Sequence, residues 1–185
     1  MLAVAAVQSH LQSRGPNEKI DVRPYLAQLC ASLAGSMIGS RSIEIKPDID
    51  DSMAKSGDAV SIGLIVTELV INALKHGFPV EKAGCRIGVR YESNESGWRL
   101  TVADNGVGKS PKAAGEKTGL GTSIVAALAD QLSARTEMAS SDAGLSVSVT
   151  SEGFQSSTIV LERVGHSTAS SPGSGFCGKV PRACA

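Results

Sequence analysis

The sequence predicts an α+β fold: a two-layer sandwich with helices over one face of a sheet built mainly from antiparallel hairpins. Three observations predict it. Segments with apolar residues at helical spacing alternate with segments of strict period two. The strands come in consecutive pairs joined by short polar links, which favours antiparallel pairing. The 185 residues are 42% hydrophobic and 19% charged, which suffices for one buried core but not for two full domains.

The first segment, Met1 to Ser13, reads as a helix end, with Val4, Val7 and Leu11 at helical spacing before the stop at Arg14-Gly15-Pro16-Asn17. A second helix opens with Asp21 as N-cap and Pro24 in its first turn. Its apolar stripe is Val22, Leu26, Leu29, Leu33 and Met37, and Gly39 closes it. Ile43 and Ile45 alternate with Glu44 and Lys46, a strand that ends before Pro47. Ser56 or Asp58 then caps a long helix with Ile62, Val66, Leu69, Val70 and Ala73 on one side, stopped by Gly77-Phe78-Pro79.

A hairpin follows. Cys85, Ile87, Val89 and Tyr91 alternate with polar residues, as do Trp98, Leu100 and Val102, and the link is Ser93 to Gly97. Gly106 to Gly121 has no periodicity and reads as a mobile loop. A helix carrying Ile124, Val125, Leu128 and Leu132 comes next. Two strands close the pattern, Arg135 to Ser140 and Leu145 to Thr150, around the turn Asp142-Ala143-Gly144. Thr158 to Leu161 offers a further short strand. His166 to Ala185 lacks acidic residues and is dominated by Ser, Gly, Pro and Ala, a composition expected to be disordered.

Composition narrows the function. Eighteen Lys+Arg balance 18 Asp+Glu, so the basic excess of a nucleic-acid surface is missing. Aromatics are 3%, too few for base-stacking platforms. No uninterrupted apolar run reaches the ~18–20 residues of a membrane span. The start lacks the basic n-region of a signal peptide. The four cysteines (Cys30, Cys85, Cys177, Cys184) form no CxxC pair, and reduced thiols in a cytoplasm are the expectation.

Three features carry chemistry. The long helix breaks its apolar pattern at Glu68, Asn72, Lys75 and His76, whose spacings of four, three and four put them on one face. Glu68 and Asn72 stand among apolar neighbours, where a plain solvated face is a poor explanation. A carboxylate beside a carboxamide oxygen offers hard ligands for Mg²⁺. Asp104-Asn105-Gly106-Val107-Gly108 ends a strand, with a carboxylate aimed at a cleft and glycines that permit close backbone approach. An ordinary Asp-Asn-Gly turn is the alternative. Gly119-Leu120-Gly121-Thr122 opens a helix whose free N–H groups suit phosphate; a plain glycine loop is its alternative. The intervening Lys109, Lys112 and Lys117 either reach phosphates or solvate the loop.

In this order the features resemble the GHKL (Bergerat) ATP-binding fold. Glu68 to His76 is similar to the N box, Asp104 to Gly108 to the G1 box, and Thr118 to Thr122 to the G2 box. ELVINALKHGFP, VADNGVG and GLGTSIVAALADQLSAR resemble HWE-related sensor histidine kinases. Asp21 to Cys30 resembles the helix linking their dimerisation helices to the ATPase domain. The resemblance covers about residues 1 to 150.

It implies a mixed, mostly antiparallel sheet and the following organisation: 1–14 a dimerisation-helix remnant, 15–40 the linker helix, 41–152 the ATP-binding domain, 153–185 a divergent tail. It implies ATP and Mg²⁺ as cofactors. Asp104 would accept from the adenine amino group, Asn72 would ligate Mg²⁺, and Glu68 would act near the metal or its water. Lys75 and His76 would face the phosphates. Gly106 and Gly108 would admit the nucleotide, and Gly119, Leu120, Gly121 and Thr122 would line the phosphates under a lid. The implied partners are a response regulator or a histidine-containing acceptor domain, with homodimerisation through the N-terminal helix.

Two features depart from that pattern. None of the three histidines, His10, His76 and His166, matches the phospho-accepting position. Leu145 follows Gly144 where the family usually has threonine near adenine, and Ser146 is the hydroxyl that could stand in. The expected function is the catalytic part of a sensor histidine kinase whose acceptor histidine is not in this chain. An anti-sigma-type serine kinase and a non-catalytic ATPase-like module for dimerisation or regulator docking are the alternatives.

Overall fold

The computed structural model describes residues 18–80, 83–108 and 120–155, with backbone only at 120–122. The expected N-terminal helix, the loop 109–119, the strand at Thr158 to Leu161 and the tail from 156 onward lie outside the described residues. In chain order the elements are β1 (Lys19–Asp21), α1 (Val22–Leu33), β2 (Ile43–Ile49), β3 (Met53–Lys55), α2 (Ser56–Asn72), β4 (Cys85–Asn94), β5 (Gly97–Asp104), α3 (Leu120–Gln131), β6 (Ala134–Ser141) and β7 (Gly144–Ser151). Both α1 and α2 end in a π turn, Ala34–Ile38 and Ala73–Gly77. The main sheet has five strands in the order β2-β4-β5-β7-β6. Only β2 and β4 pair in parallel; the other three pairs are antiparallel. This is the mixed, mostly antiparallel sheet of a two-layer α+β sandwich.

The parallel β2–β4 pair requires a long crossover, and α2 supplies it. The β2 strand runs through Pro47 to Ile49 instead of ending before the proline. It tolerates Pro47 because it is an edge strand with one neighbour, so one side of its backbone needs no donor. The short β1 and β3 form a separate two-stranded sheet, Lys19 opposite Lys55. It brings the chain before α1 to the start of α2, where Ser56 N–H donates to the Glu18 carbonyl at 2.8 Å.

At the start of α1, Asp21 accepts from the Arg23 N–H at 3.2 Å, and Pro24 occupies the first turn, where no N–H is needed. Val22, Leu26, Leu29 and Leu33 are buried, but Met37 is 36% exposed. The widening to a π turn at Ala34 carries Met37 off the stripe. In α2 neither Ser56 nor Asp58 caps. Lys55 is the N-cap without a side-chain bond, and Asp58 lies in the first turn beside the positive helix end. With its π turn α2 forms a 22-residue helix containing an 18-residue window of mean hydropathy 1.6, long and apolar enough by length and composition to cross a membrane. Half of that window is buried inside the protein. Ile62, Ile65, Val66 and Val70 sit in the same core as Leu26 and Leu29 of α1 and Ile87, Val89 and Leu100 of the sheet. Thr67 fits this apolar helix because its hydroxyl donates to the Gly63 carbonyl at 2.8 Å.

The β4–β5 hairpin has the expected inward faces, and its link is shorter than the sequence suggested. Asn94 pairs with Gly97, and the Asn94 Oδ1 accepts from both Ser96 and Gly97 N–H. Tyr91 and Trp98 stack on the hairpin with centroids 6.0 Å apart. In α3 the buried side is Val125 and Ala129, while Ile124 is 44% exposed. One face cannot hold two consecutive residues equally, and Ala129 lets α3 pack closely. Val147 and Val149 of β7 point inward, as their alternation predicts.

The two long helices meet at Gly63. A Cβ there would overlap the Tyr25 hydroxyl, which is itself buried without a hydrogen-bond partner among the described residues. Gly63→Ala should therefore destabilise the fold by about 1–3 kcal/mol through overpacking. Tyr25→Phe should be neutral or stabilising, because it removes an unsatisfied hydroxyl. Urea unfolding of the two variants checks both signs. Burial also pushes the phenols of Tyr25 and Tyr91 up to about 12 from 10.0. Their neutral forms are kept in the folded state, so this contribution is complete below pH 10 and is lost as pH rises towards 12. Unfolding midpoints should fall across that window, less so in Tyr25→Phe.

Candidate functional site

The site forms where the end of α2 meets the end of β5. The π turn Ala73–Gly77 packs on both β5 and β7. Glu68 and Asn72 are half-buried, one turn apart, while Lys75 and His76 are exposed on the π turn. Among the described residues none of these four side chains makes a hydrogen bond or ion pair. π turns within helices recur at functional positions because they re-aim side chains that a regular helix would hold in line.

Glycines make the junction. The Gly77 Cα faces Asp104: an added Cβ would lie 3.0 Å from Asp104 Oδ1. The Gly77 carbonyl accepts from the Val107 N–H at 2.9 Å, and a Cβ on Gly106 would overlap that same carbonyl. Gly108, at φ +66, lies against the Ser141 carbonyl, and Gly144, at φ +129, against the Asp104 carbonyl. The end of α2, the exit of β5 and the β6–β7 turn thus meet with no room for side chains. Within the loop, Asp104 Oδ1 accepts from the Gly106 N–H at 2.9 Å. Asn105 has a different role. Its Oδ1 accepts from the Arg86 N–H at 2.8 Å and its Nδ2 donates to the Gly84 carbonyl at 2.9 Å. It prolongs the β4–β5 pairing by one side chain and holds Asp104 at the strand end.

Asp104 also lines an open cavity of about 230 Å³ with Gly144, Leu145, Ser146 and Ser140. This is below the ~300 Å³ at which pockets begin to enclose drug-sized ligands. It suits one ring of a ligand rather than a whole nucleotide. Leu145 and Ser146, the positions of the departure noted in the sequence, thus flank Asp104. α3 starts at Leu120, so Leu120, Gly121 and Thr122 lie within its first turn rather than before it. Gly119 and the side chains of Leu120 and Thr122 lie outside the described residues.

The donor set fits a divalent ion of the Mg²⁺ type. Glu68 and Asn72 present oxygen donors from one helix face, with no protein partner using them among the described residues. No group of three or more His, Cys, Asp or Glu converges among the described residues. A partial protein shell of this kind suits an ion that keeps water and binds substrate phosphates. Sequence reasoning gave no role to Arg41 or to Gly77, and named Gly144 only for the residue that follows it. Arg41 donates to the carbonyls of Leu74 at 3.0 Å and Phe78 at 3.4 Å. Gly77 and Gly144 read as a helix stop and a turn, because nothing local in the sequence shows which backbone will press on them.

With this geometry in place, family comparison is specific. The family of histidine kinase-, DNA gyrase B-, and HSP90-like ATPases matches residues 57–163. The chain belongs to that family. Among solved structures it is similar to the histidine kinase domain from the Erythrobacter litoralis EL346 blue-light activated histidine kinase. That match has a TM-score of 0.68 and 24% identity, over 76% of this chain and 69% of that one. It spans 42% of the longer chain of that blue-light activated kinase, at 24% identity and a TM-score of 0.66. The Acinetobacter baumannii histidine kinase AdeS aligns at 0.60 and 16% identity, over 83% of this chain and 77% of that one. At these identities the structures establish the fold. Among curated proteins, none matches the chain in sequence. The matched residues include Glu68, Asn72 and Asp104, and the fold is similar to that of histidine kinase catalytic domains.

The glycine junction makes a sharp contrast. Gly106→Ala should cost about 1–3 kcal/mol, because backbone must move to admit the methyl group. Gly88→Ala in β4 meets nothing nearer than 3.8 Å and should be neutral or stabilising by up to ~1 kcal/mol. Thermal unfolding of the two variants, side by side, reads the difference.

Proposed function

We propose that this domain is the ATP-binding catalytic part of a two-component sensor histidine kinase of the HWE-related type. It would act in the cytoplasm and transfer the γ-phosphate of ATP to a histidine outside this chain. The observation that carries the reading is the junction of Gly77, Gly106 and Asp104. It joins the helix bearing Glu68 and Asn72 to a strand-end carboxylate, as a nucleotide bound between them requires. Membership of the ATPase family supports ATP as the ligand, and the free oxygen donors of Glu68 and Asn72 support Mg²⁺.

In this reading Asp104 selects the base. Its Oδ1 is engaged by the Gly106 N–H, which leaves Oδ2 to accept from an exocyclic amino group of adenine. Guanine presents a carbonyl at that position and is rejected by two acceptors facing each other. Asn72 and Glu68 hold Mg²⁺, whose chemistry would be to neutralise charge on the phosphates. Lys75 and His76, exposed on the π turn, face the phosphate side. Phosphoryl transfer requires mainly positioning and charge neutralisation, and these residues supply both. The receiving partner is a histidine-containing acceptor domain, and a response regulator takes the phosphoryl group from it.

Asp104→Asn should weaken Mg·ATP binding tenfold or more, about 1.4 kcal/mol, from loss of a charged acceptor. Calorimetry with equal affinities for the two proteins would sink the adenine assignment. With radiolabelled ATP, the chain should label a supplied acceptor-helix peptide in trans but not itself, and Asn72→Ala should abolish the transfer. Acid-labile label on His10, His76 or His166 of the chain alone would overturn the external acceptor.

A further inference from the structure

We propose that Arg41 is a positioning residue of the nucleotide site, coupling the end of α1 to the turn that carries Lys75 and His76. The role rests on the ATP-site reading above and adds a residue outside every motif that supports it.

Leu74 and Phe78 are 4% and 5% exposed, at the end of α2 where helix carbonyls lose their intrahelical partners. Buried carbonyls need donors, and Arg41 provides them from more than thirty positions away in sequence. Its planar guanidinium spans the two acceptors as a single fork, and its charge opposes the negative helix end. These two carbonyls bracket Lys75, His76 and Gly77. The last of these bonds to Val107 through its carbonyl and touches Asp104 through its Cα. On its other side Arg41 is tied to α1: its N–H donates to the Ile38 carbonyl at 3.0 Å, just past Gly39 at φ +58. One residue therefore joins the α1 terminus to the α2 end of the site, which Gly77 joins in turn to β5. A shift of α1 against the sheet reaches Lys75, His76 and Asp104 through it.

A plain helix cap would stabilise α2 without affecting ligand binding selectively, so the test separates the two. Wild type, Arg41→Ala and Arg41→Lys are compared as full chains. Mg·ADP affinity is measured by calorimetry, and amide exchange is followed at Gly77 and Val107, with Val89 in β4 as reference. In Arg41→Ala, ADP affinity should fall roughly tenfold, the order expected for lost orientation of one charged contact. Exchange at Gly77 and Val107 should rise without a matching rise at Val89. Arg41→Lys keeps the charge but not the fork, and should fall between. Wild-type affinity in Arg41→Ala, or exchange raised equally at Val89, would overturn the role of Arg41 while leaving the ATP reading intact. Failure of the wild type itself to bind ADP would overturn the ATP reading and this role with it.

Discussion

The site depends on one steric constraint: two backbones that touch at Gly77 and Gly106. The Gly77 carbonyl lies where a Cβ of Gly106 would be, and accepts from the amide of the following residue, Val107. A hydrogen bond of this sort contributes about 1 kcal/mol net, but its geometric effect is larger. It locks the end of α2 to the end of β5, two elements that also share the apolar core. Everything assigned to ligand binding on α2 and β5 lies within a few turns of that contact. Asp104 lies directly under Gly77, Lys75 and His76 immediately precede it, and Asn72 and Glu68 sit further back along the helix.

Core and site are therefore consequences of the same packing. α1 and α2 share a buried cluster with the central strands β4 and β5. That cluster sets the height of α2 above the sheet, and hence how its last turn arrives at β5. Gly63 sets the spacing on one side by receiving Tyr25. At the other end of the helix, the strand pair β1–β3 ties down the start of α2. The helix is held at its start by backbone pairing, in its middle by side-chain packing and at its end by the glycine junction.

Much of this was legible in the sequence, and the rest was hidden for identifiable reasons. Period-two runs marked β4, β5 and β7 almost to the residue, because alternation on a half-buried sheet is a strong pattern. Asp21 and Pro24 marked the start of α1, since caps are local chemistry. The errors were of a different kind. Met37 and Ile124 belonged to apolar stripes on an ideal helix, but a π turn and close packing at Ala129 moved them outward. Pro47 reads as a strand stop, yet edge position cancelled the penalty, and edge position belongs to the whole sheet. Glu68, Asn72 and Asp104 stood out as polar residues in apolar or strand-end settings. Arg41, Gly77 and Gly144 did not, because their importance is a contact with a distant backbone.

A division of labour between backbone and side chains runs through this region. The carbonyls of Leu74, Gly77 and Phe78 and the amides of Arg86, Gly106 and Val107 all have partners within the protein. The side chains of Glu68, Asn72, Lys75 and His76 have none among the described residues. A fold that merely closed its own helix end would use nearby side chains as caps, since these are the most local source of donors and acceptors. Here the junction is closed by glycine backbones, by Asn105 and by a distant arginine. Two half-buried oxygen-bearing groups and two exposed basic residues are left uncommitted on one helix face. Polar groups at half-buried positions are costly to leave unsatisfied unless something else completes them. In the proposed function a phosphate-bearing ligand with its cation would complete them from both sides, oxygen donors to the metal and basic residues to the phosphates. On that reading scaffold and ligand would draw on different atoms of the same stretch, Glu68 to His76, and neither would have to compete with the other.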